Sequence, residues 1–260
     1  MDKYYFIHSF NLTMKNNILP QIDKLLQIIQ EKYLGKYIVL EGLDGSGKTT
    51  IKEWLESKLT NTFSVREPGS TDFGESIRNL LLNSEFKLQS LTELFLFMAS
   101  RTELLHQKII PALQEQKIVF SDRSYISSFA YQAHPAQIDL NYFKETVAQI
   151  YQQQKIDVIV YAKIPYELGL QRSAAIRSAD NMEAKGKAFY QKIEEGYNLY
   201  LANFIQEAKQ LETPEYLTAA ELEAVQIYRK DDSYLVILDT QHNKETVAEL
   251  FVKALASLNF

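Results

Sequence analysis

The chain has 260 residues, 46% of them hydrophobic and 23% charged, with a net charge of −5 and no cysteine. That length suits one sizeable core. The missing cysteines exclude disulfides, thiolate metal sites and cysteine nucleophiles, and the acidic balance gives no global positive field to recruit nucleic acid or an anionic membrane.

Residues 1–35 read as an N-terminal extension. The aromatic run Tyr4 to Phe10 suggests a short strand, and Ile22, Leu25, Leu26, Ile29 and Tyr33 recur at helical spacing. Gly35 then stops that helix. It either packs on the main domain or serves as a dimerisation arm. The start lacks the basic-then-apolar pattern of a signal peptide, and no apolar run approaches the ~18 residues of a membrane helix. A cytoplasmic protein is expected. The four histidines, His8, His106, His134 and His242, are too scattered to suggest a metal site.

Tyr37 to Leu40 reads as a buried strand. The next residues, Gly42-Leu43-Asp44-Gly45-Ser46-Gly47-Lys48-Thr49, fit GxxxxGK[ST] at every fixed position, and a helical pattern follows to Leu59. A glycine-rich turn lets several main-chain N–H groups face one anion, and the new helix adds its positive end. Lys48 can reach terminal phosphates and Thr49 can offer a hydroxyl to Mg²⁺. Gly42 to Lys48, with Thr49 and Thr50, is therefore the candidate nucleoside triphosphate site.

Phe63 to Arg66 is a short strand running into the turn Glu67-Pro68-Gly69-Ser70, with a helix from Thr71 to Asn83. Ser90 and Glu93 form a capping box that opens a long helix to about Gln116, kinked or broken at Pro111. Ile118 to Ser121 is a strand ended by Asp122-Arg123. Helices fit Ser124 to Tyr131 and Leu140 to Gln154, then a strand Val158 to Tyr161 and a helix from Pro165 to Ser178. A polar stretch to Lys187 precedes a helix to about Leu211. A second capping box, Thr218 with Glu221, opens a short helix to about Arg229. Tyr234 to Leu238 is the last strand and Asn243 to Leu258 the last helix. Unbroken apolar strands alternating with helices indicate an α/β/α architecture around a mostly parallel five-stranded sheet. Ligands of such sheets bind beyond the carboxyl ends of the strands. The phosphate loop, Arg66-Glu67 and Asp122-Arg123 should therefore share one rim.

Four motifs in order now stand out: EGLDGSGKT from Glu41, REPGST from Arg66, LFMASR from Leu96, and DRSYISSFAYQ from Asp122. Together they resemble the thymidylate kinase family over residues 37 to about 205. The resemblance implies a P-loop NTPase fold with a helical lid, transfer of the ATP γ-phosphoryl group to dTMP, Mg²⁺, and a homodimer, with no nucleic acid or membrane partner. It also implies roles. Phe97 would stack on thymine, although periodicity alone reads it as a core residue. Arg101 would bond the base edge, with Ser127, Ser128 and Gln132 nearby, and Tyr131 would pack on the sugar. Arg66, Arg78 and Arg123 would surround the monophosphate; Arg78 reads equally well as a solvated helix residue. Asp44 would accept from the 3′-hydroxyl, Asp122 and Thr49 would hold Mg²⁺, and Glu67 would hold water near it.

The family places a transition-state arginine either inside the phosphate loop or in a lid. Gly45 occupies the loop position, so the lid, about 171–183, should supply it. Arg177 is the first candidate and Arg172 the second, beside Lys48, Arg123 and Asp44 in the catalytic set. The chain departs from the family at Asn181, where an arginine is usual, and at Ser70, which replaces a glycine. The extension 1–35 and the segment 212–233 are also atypical and read as surface elaboration. Two alternatives stay open: a deoxynucleoside or other monophosphate kinase, with Glu67 cast as base, or a nucleotide-binding protein made catalytically weak by its depleted lid.

Overall fold

Apolar runs along the chain pair side by side in the computed structural model, which describes residues 19–83, 85–174 and 187–260. The strands are β1 (Tyr37–Glu41), β2 (Thr62–Arg66), β3 (Ile118–Asp122), β4 (Val158–Lys163), β5 (Lys209–Gln210), β6 (Val225–Lys230) and β7 (Ser233–Asp239), in one sheet of order β2-β3-β1-β4-β7-β6-β5. The first five in that order run parallel; β6 and β5 are antiparallel additions beyond β7. The sheet thus has seven strands rather than the expected five. The region from Tyr4 to Phe10 lies outside the described residues.

One extra strand, β6, arises where the sequence suggested a helix from Thr218 to Arg229; the other, β5, takes the end of the helix expected to run to Leu211, which stops at Gln206. The capping box does form: Thr218 N–H donates to Glu221 Oε2 at 2.8 Å, and Glu221 N–H to Thr218 Oγ1 at 3.4 Å. It opens only a 3₁₀ turn, Glu221–Glu223. From Val225 a two-residue period takes over, with Val225 and Ile227 buried and Gln226 exposed. The Lys230–Ser233 pairing then closes a hairpin onto β7, with Asp231 at φ 52° in its turn.

All five residues of β1 are buried. Ile38 and Leu40 join the core on one face of the sheet, Tyr37 and Val39 the core on the other, as a strand period of two requires. The chain runs from β1 out to β2 on one side and from β3 back across to β4 on the other, so the turn after β1 opens at the switch point where α/β sheets bind ligands.

Helices α1 (Leu19–Lys32), α2 (Lys48–Glu56), α3 (Asp72–Asn83), α4 (Ser90–Leu104) and α5 (Ile110–Gln114) come next in chain order. Between α4 and α5 the backbone stays helical but widens into a π turn, Leu105–Ile109, just before Pro111. That wider turn accommodates a residue that cannot donate its N–H. The Ser90 capping box is absent. Gln89 is the cap residue, with no side-chain cap bond, and the Glu93 carboxylate instead lies 3.5 Å from Gln132 Nε2. The remaining helices are α6 (Tyr125–Ser128, continued by a π turn Phe129–Ala133), α7 (Leu140–Ile150), α8 (Tyr166–Ala174), α9 (Lys187–Gln206) and α10 (Lys244–Ala256). Among the described residues, no helix is long and apolar enough to cross a membrane.

α1 packs against α10. Ile22, Leu25, Leu26, Ile29 and Tyr33 are all buried in the core that α10 and β1 share. The Tyr33 hydroxyl donates to Leu255 O at 2.8 Å, and the Lys32 ammonium to Ala256 O at 2.9 Å and Leu258 O at 3.2 Å. A cation on the last carbonyls of a helix satisfies acceptors that have no intrahelical donor and complements the helix dipole. The stripe that the sequence showed is therefore a core face, and removing a side chain from it leaves a cavity. Ile29, 0% exposed, is the sharpest probe: Ile29→Ala is expected to destabilise the protein by about 2–5 kcal/mol, read from the urea midpoint, while Asp23→Ala on the exposed side leaves it unchanged.

Candidate active site

The loop after β1 wraps the start of α2, whose cap residue Gly47 takes φ 83°. Lys48 is buried, and its ammonium donates to Leu43 O at 3.2 Å and lies 3.8 Å from Asp44 Oδ1. Burial, followed by the charge of Arg123, pushes the Lys48 pKa down. Thr49 is exposed at the mouth, and its hydroxyl donates to Asp122 Oδ2 at 2.7 Å. This hydroxyl and carboxylate are the hard oxygen donors that Mg²⁺ prefers, so the pair fits the ion.

Gly45 cannot be replaced without moving the backbone. At φ +76° an added Cβ would stand 2.0 Å from Gly169 O, on α8. Gly169 is constrained from the other side, where a Cβ would meet Asp44 O at 2.7 Å. Phosphate loop and α8 thus touch through two bare backbones. An arginine at position 45 has no room.

Arg123, just past β3, reaches across to the same loop. Its guanidinium donates to Asp44 Oδ1 at 2.6 Å, Ser127 Oγ at 3.1 Å, and Gly42 O and the Tyr197 and Tyr131 hydroxyls at 3.3 Å. It also lies over the Tyr131 ring, 4.9 Å from the centroid. Beneath it sits Glu41, the last residue of β1 and 0% exposed. Glu41 accepts from Ser124 N–H and Oγ at 2.7 Å, Ser127 Oγ at 2.6 Å and the Tyr197 hydroxyl at 3.0 Å. Glu41, Ser124 and Tyr197 were not singled out from the sequence. A carboxylate ending a wholly buried strand was the available signal for the first; nothing local marks Tyr197, which arrives on α9.

The second half of the cleft comes from α4 and α6. Arg101, 2% exposed, holds Glu67 Oε2 at 2.6 Å and Ser128 Oγ at 2.8 Å. Phe97 sits one turn earlier on α4, half-buried, and lines the same cleft. Gln132 is buried, and its Oε1 is among the described side-chain atoms without a hydrogen-bond partner. Arg66 is exposed and paired with Glu75 at 2.8 Å; Arg78 donates to Pro68 O at 3.0 Å. The Ser70 hydroxyl accepts from Arg66 N–H at 2.9 Å, with Ser70 itself at φ 67°. Serine therefore adopts the left-handed backbone that a glycine would hold without strain, and gains a turn-closing hydrogen bond.

One cleft is lined by Asp44, Lys48 and Thr49 at one end, by Phe97, Arg101, Ser128 and Gln132 at the other, and by Arg66, Glu67, Arg78, Asp122, Arg123, Ser127 and Tyr131 between. Arg172 is not part of it. Its guanidinium donates to Thr240 O at 2.8 Å and ties α8 to the turn after β7. Arg177 and Asn181 lie outside the described residues.

A thymidylate kinase family model matches residues 40–212. A thymidylate kinase of Nitrosospira multiformis is 38% identical over 167 residues, covering 63% of this chain and 82% of the relative. One from Chlamydia felis is 35% identical over 168 residues, covering 62% and 81%. The crystal structure of thymidylate kinase from Ehrlichia chaffeensis superposes with a TM-score of 0.51 at 29% identity, over 65% of this chain and 81% of that one. The matched span carries the phosphate loop, the Arg66 turn, Phe97, Arg101 and Asp122 to Gln132, and on that ground this chain belongs to the thymidylate kinase family.

Proposed function

We propose that this chain transfers the γ-phosphoryl group of ATP to the 5′-phosphate of dTMP, giving ADP and dTDP. The observation that carries this reading is the single cleft joining Lys48 to Phe97, Arg101 and Gln132. Main-chain N–H groups of Gly42 to Thr50 would cradle the triphosphate, with Lys48 beside its terminal phosphates. Phe97 would stack on the base. A buried acceptor such as Gln132 Oε1 suits the imide N–H of thymine, and a base lacking that donor would leave it unpaired. Arg66, Arg78 and Arg123 would meet the acceptor phosphate with paired donors. Asp44, held by Arg123 at 2.6 Å, would face the sugar 3′-hydroxyl, and Tyr131 would pack on the ring of that sugar.

Thr49 and Asp122 would hold Mg²⁺, with Glu67 ordering water near it. When bound, the ion neutralises charge on the phosphate oxygens. The acceptor is already an anion and needs no strong base; the protein's part is to align two nucleotides in line and offset the charge on the equatorial oxygens. Lys48 and Arg123 do this from fixed positions. Glu67, the residue that a nucleoside kinase would use as base, is held by Arg101 at 2.6 Å, which favours a phosphorylated acceptor. The nucleotide substrates and a cysteine-free composition support a cytoplasmic setting. Residues 36–260 would form the catalytic domain, with 1–35 and about 212–233 as additions to it.

A second copy of the chain is the partner we assign to the outer face of α3 and α4. Phe73, Leu91 and Phe95 are 46–48% exposed there, and an apolar face of this kind is more typical of an interface than of a solvated helix.

Three tests follow from these assignments. In a coupled ADP assay, dTMP is expected to be preferred over dCMP, dGMP, UMP and thymidine. Phe97→Ala should raise KM for dTMP about 5- to 100-fold, the range of one base stack, and Lys48→Ala should abolish turnover with the fold intact; a protein inert toward every monophosphate sinks the reading. Arg177→Ala is expected to lower kcat by about 10³-fold or more with dTMP affinity unchanged, whereas Arg172→Ala leaves kcat within a fewfold; equal losses would show that the transition-state cation has been misplaced. Sedimentation should give a dimer that Phe95→Glu converts to monomer.

A further inference from the structure

Between the acceptor end of the cleft and the underlying core lies a set of buried oxygens whose hydrogen bonding the phosphoryl-transfer reading does not account for. Arg101 and Glu67 pair at 2.6 Å with side chains only 1% and 3% exposed. Both contacts fall on Oε2. Among the described residues the other carboxylate oxygen, Oε1, is buried with no hydrogen-bond partner, and so are the hydroxyls of Tyr37, on β1, and Tyr151, just after α7. Tyr37 is 0% exposed and Tyr151 8%.

Tyr37 and Tyr151 belong to one buried cluster. The Tyr37 phenol is raised first by burial and then by the Glu67 charge, against which the Tyr151 and Ser121 hydroxyls, as hydrogen-bonding neighbours, and the Arg101 charge act. Tyr151 in turn feels Tyr37, Glu67 and Arg101. The Tyr151 ring is fixed edge-on against Tyr125, 5.2 Å between centroids, so its hydroxyl has little choice of direction. Two phenols each bring one O–H donor, and Glu67 Oε1 brings an acceptor. Native interiors seldom leave such groups unpaired, and buried water commonly bridges those that stand slightly apart. Burial pushes the Glu67 carboxyl up while Arg101 works against it; a further donor on Oε1 acts in the same sense as Arg101.

We propose that Tyr37 and Tyr151 are positioning residues for the acceptor site: their hydroxyls donate in series toward Glu67 Oε1, with buried water completing the row. The row fixes the Glu67 carboxylate, which fixes the Arg101 guanidinium, which grips Ser128 Oγ at 2.8 Å. The base-reading end of the cleft is thus set from beneath by residues that never touch the substrate. This rests on the reading of the cleft as a monophosphate site.

Tyr37→Phe and Tyr151→Phe keep both rings and remove one hydroxyl each. The readout is KM, together with the calorimetric Kd, for whichever monophosphate the acceptor panel selects, so a different preferred base would correct the substrate and not the positioning role. Each variant is expected to raise that KM about 5- to 10-fold, the effect of one buried hydrogen bond, while kcat and KM for ATP stay within twofold. Tyr37→Phe added to Glu67→Gln should raise KM no further than Glu67→Gln alone, because both act through one oxygen. An unchanged KM in both single variants, in a wild type that turns over, overturns the proposal alone. So does a rise that is additive with Glu67→Gln and tracks a fall in Tm, since that is a general loosening. Absence of any monophosphate binding by the wild type overturns both this role and the reading beneath it.

Discussion

The Glu41 carboxylate is the charge on which the arrangement of the cleft depends. It ends β1 with no exposure to solvent, and an isolated carboxylate there would be strongly destabilising. Ser124, Ser127 and Tyr197 stabilise it with charge-assisted hydrogen bonds from three directions. Those donors belong to the turn after β3, the start of α6, and the middle of α9. Satisfying one buried charge therefore fixes two distant segments, the turn and helix after β3 and the middle of α9, around the phosphate loop. Arg123 then uses the same Ser127 and Tyr197 oxygens as acceptors. The guanidinium is placed before any substrate arrives, which is what a reaction governed by positioning and charge requires.

The same economy appears on the acceptor side. Arg101 and Glu67 form a buried pair, and breaking either partner alone would leave an uncompensated charge in the core. Arg66 is different: its pairing with Glu75 is half-exposed and screened by solvent. Within one cleft, the buried pair is costly to separate and fixes geometry, while the exposed pair can be parted at modest cost.

Most of the site was legible because its residues sit at fixed short spacings on regular elements. The phosphate loop is continuous, Phe97 and Arg101 are four apart on α4, and Ser128 and Gln132 four apart after β3. What escaped depends on long-range contacts. Tyr197 bonds Glu41 across 156 positions, a distance at which no spacing rule operates. The seven-stranded sheet was misread for a related reason. Thr218 and Glu221 make the local hydrogen bonds of a helix start, yet the edge of β7 offered a ladder along the whole of Val225 to Lys230, and the ladder won. The Ser90 box failed because Glu93 lies instead beside Gln132, in a contact with α6's π turn that only the folded chain creates. Local signals decided structure wherever nothing non-local competed for the same groups.

The contact between Gly45 and Gly169 carries the argument furthest toward mechanism. With a Cβ at either position in collision with the facing backbone, the phosphate loop and α8 are held at a separation that admits no side chain. The far end of α8 is tied as well, by Arg172 to Thr240 O. A helix fixed at its middle and near its end cannot swing as a rigid body over the triphosphate. Tyr197 on α9 is itself bonded to Glu41 and Arg123, so α8 and α9 are both anchored at the phosphate loop, one through bare backbone and the other through a buried carboxylate.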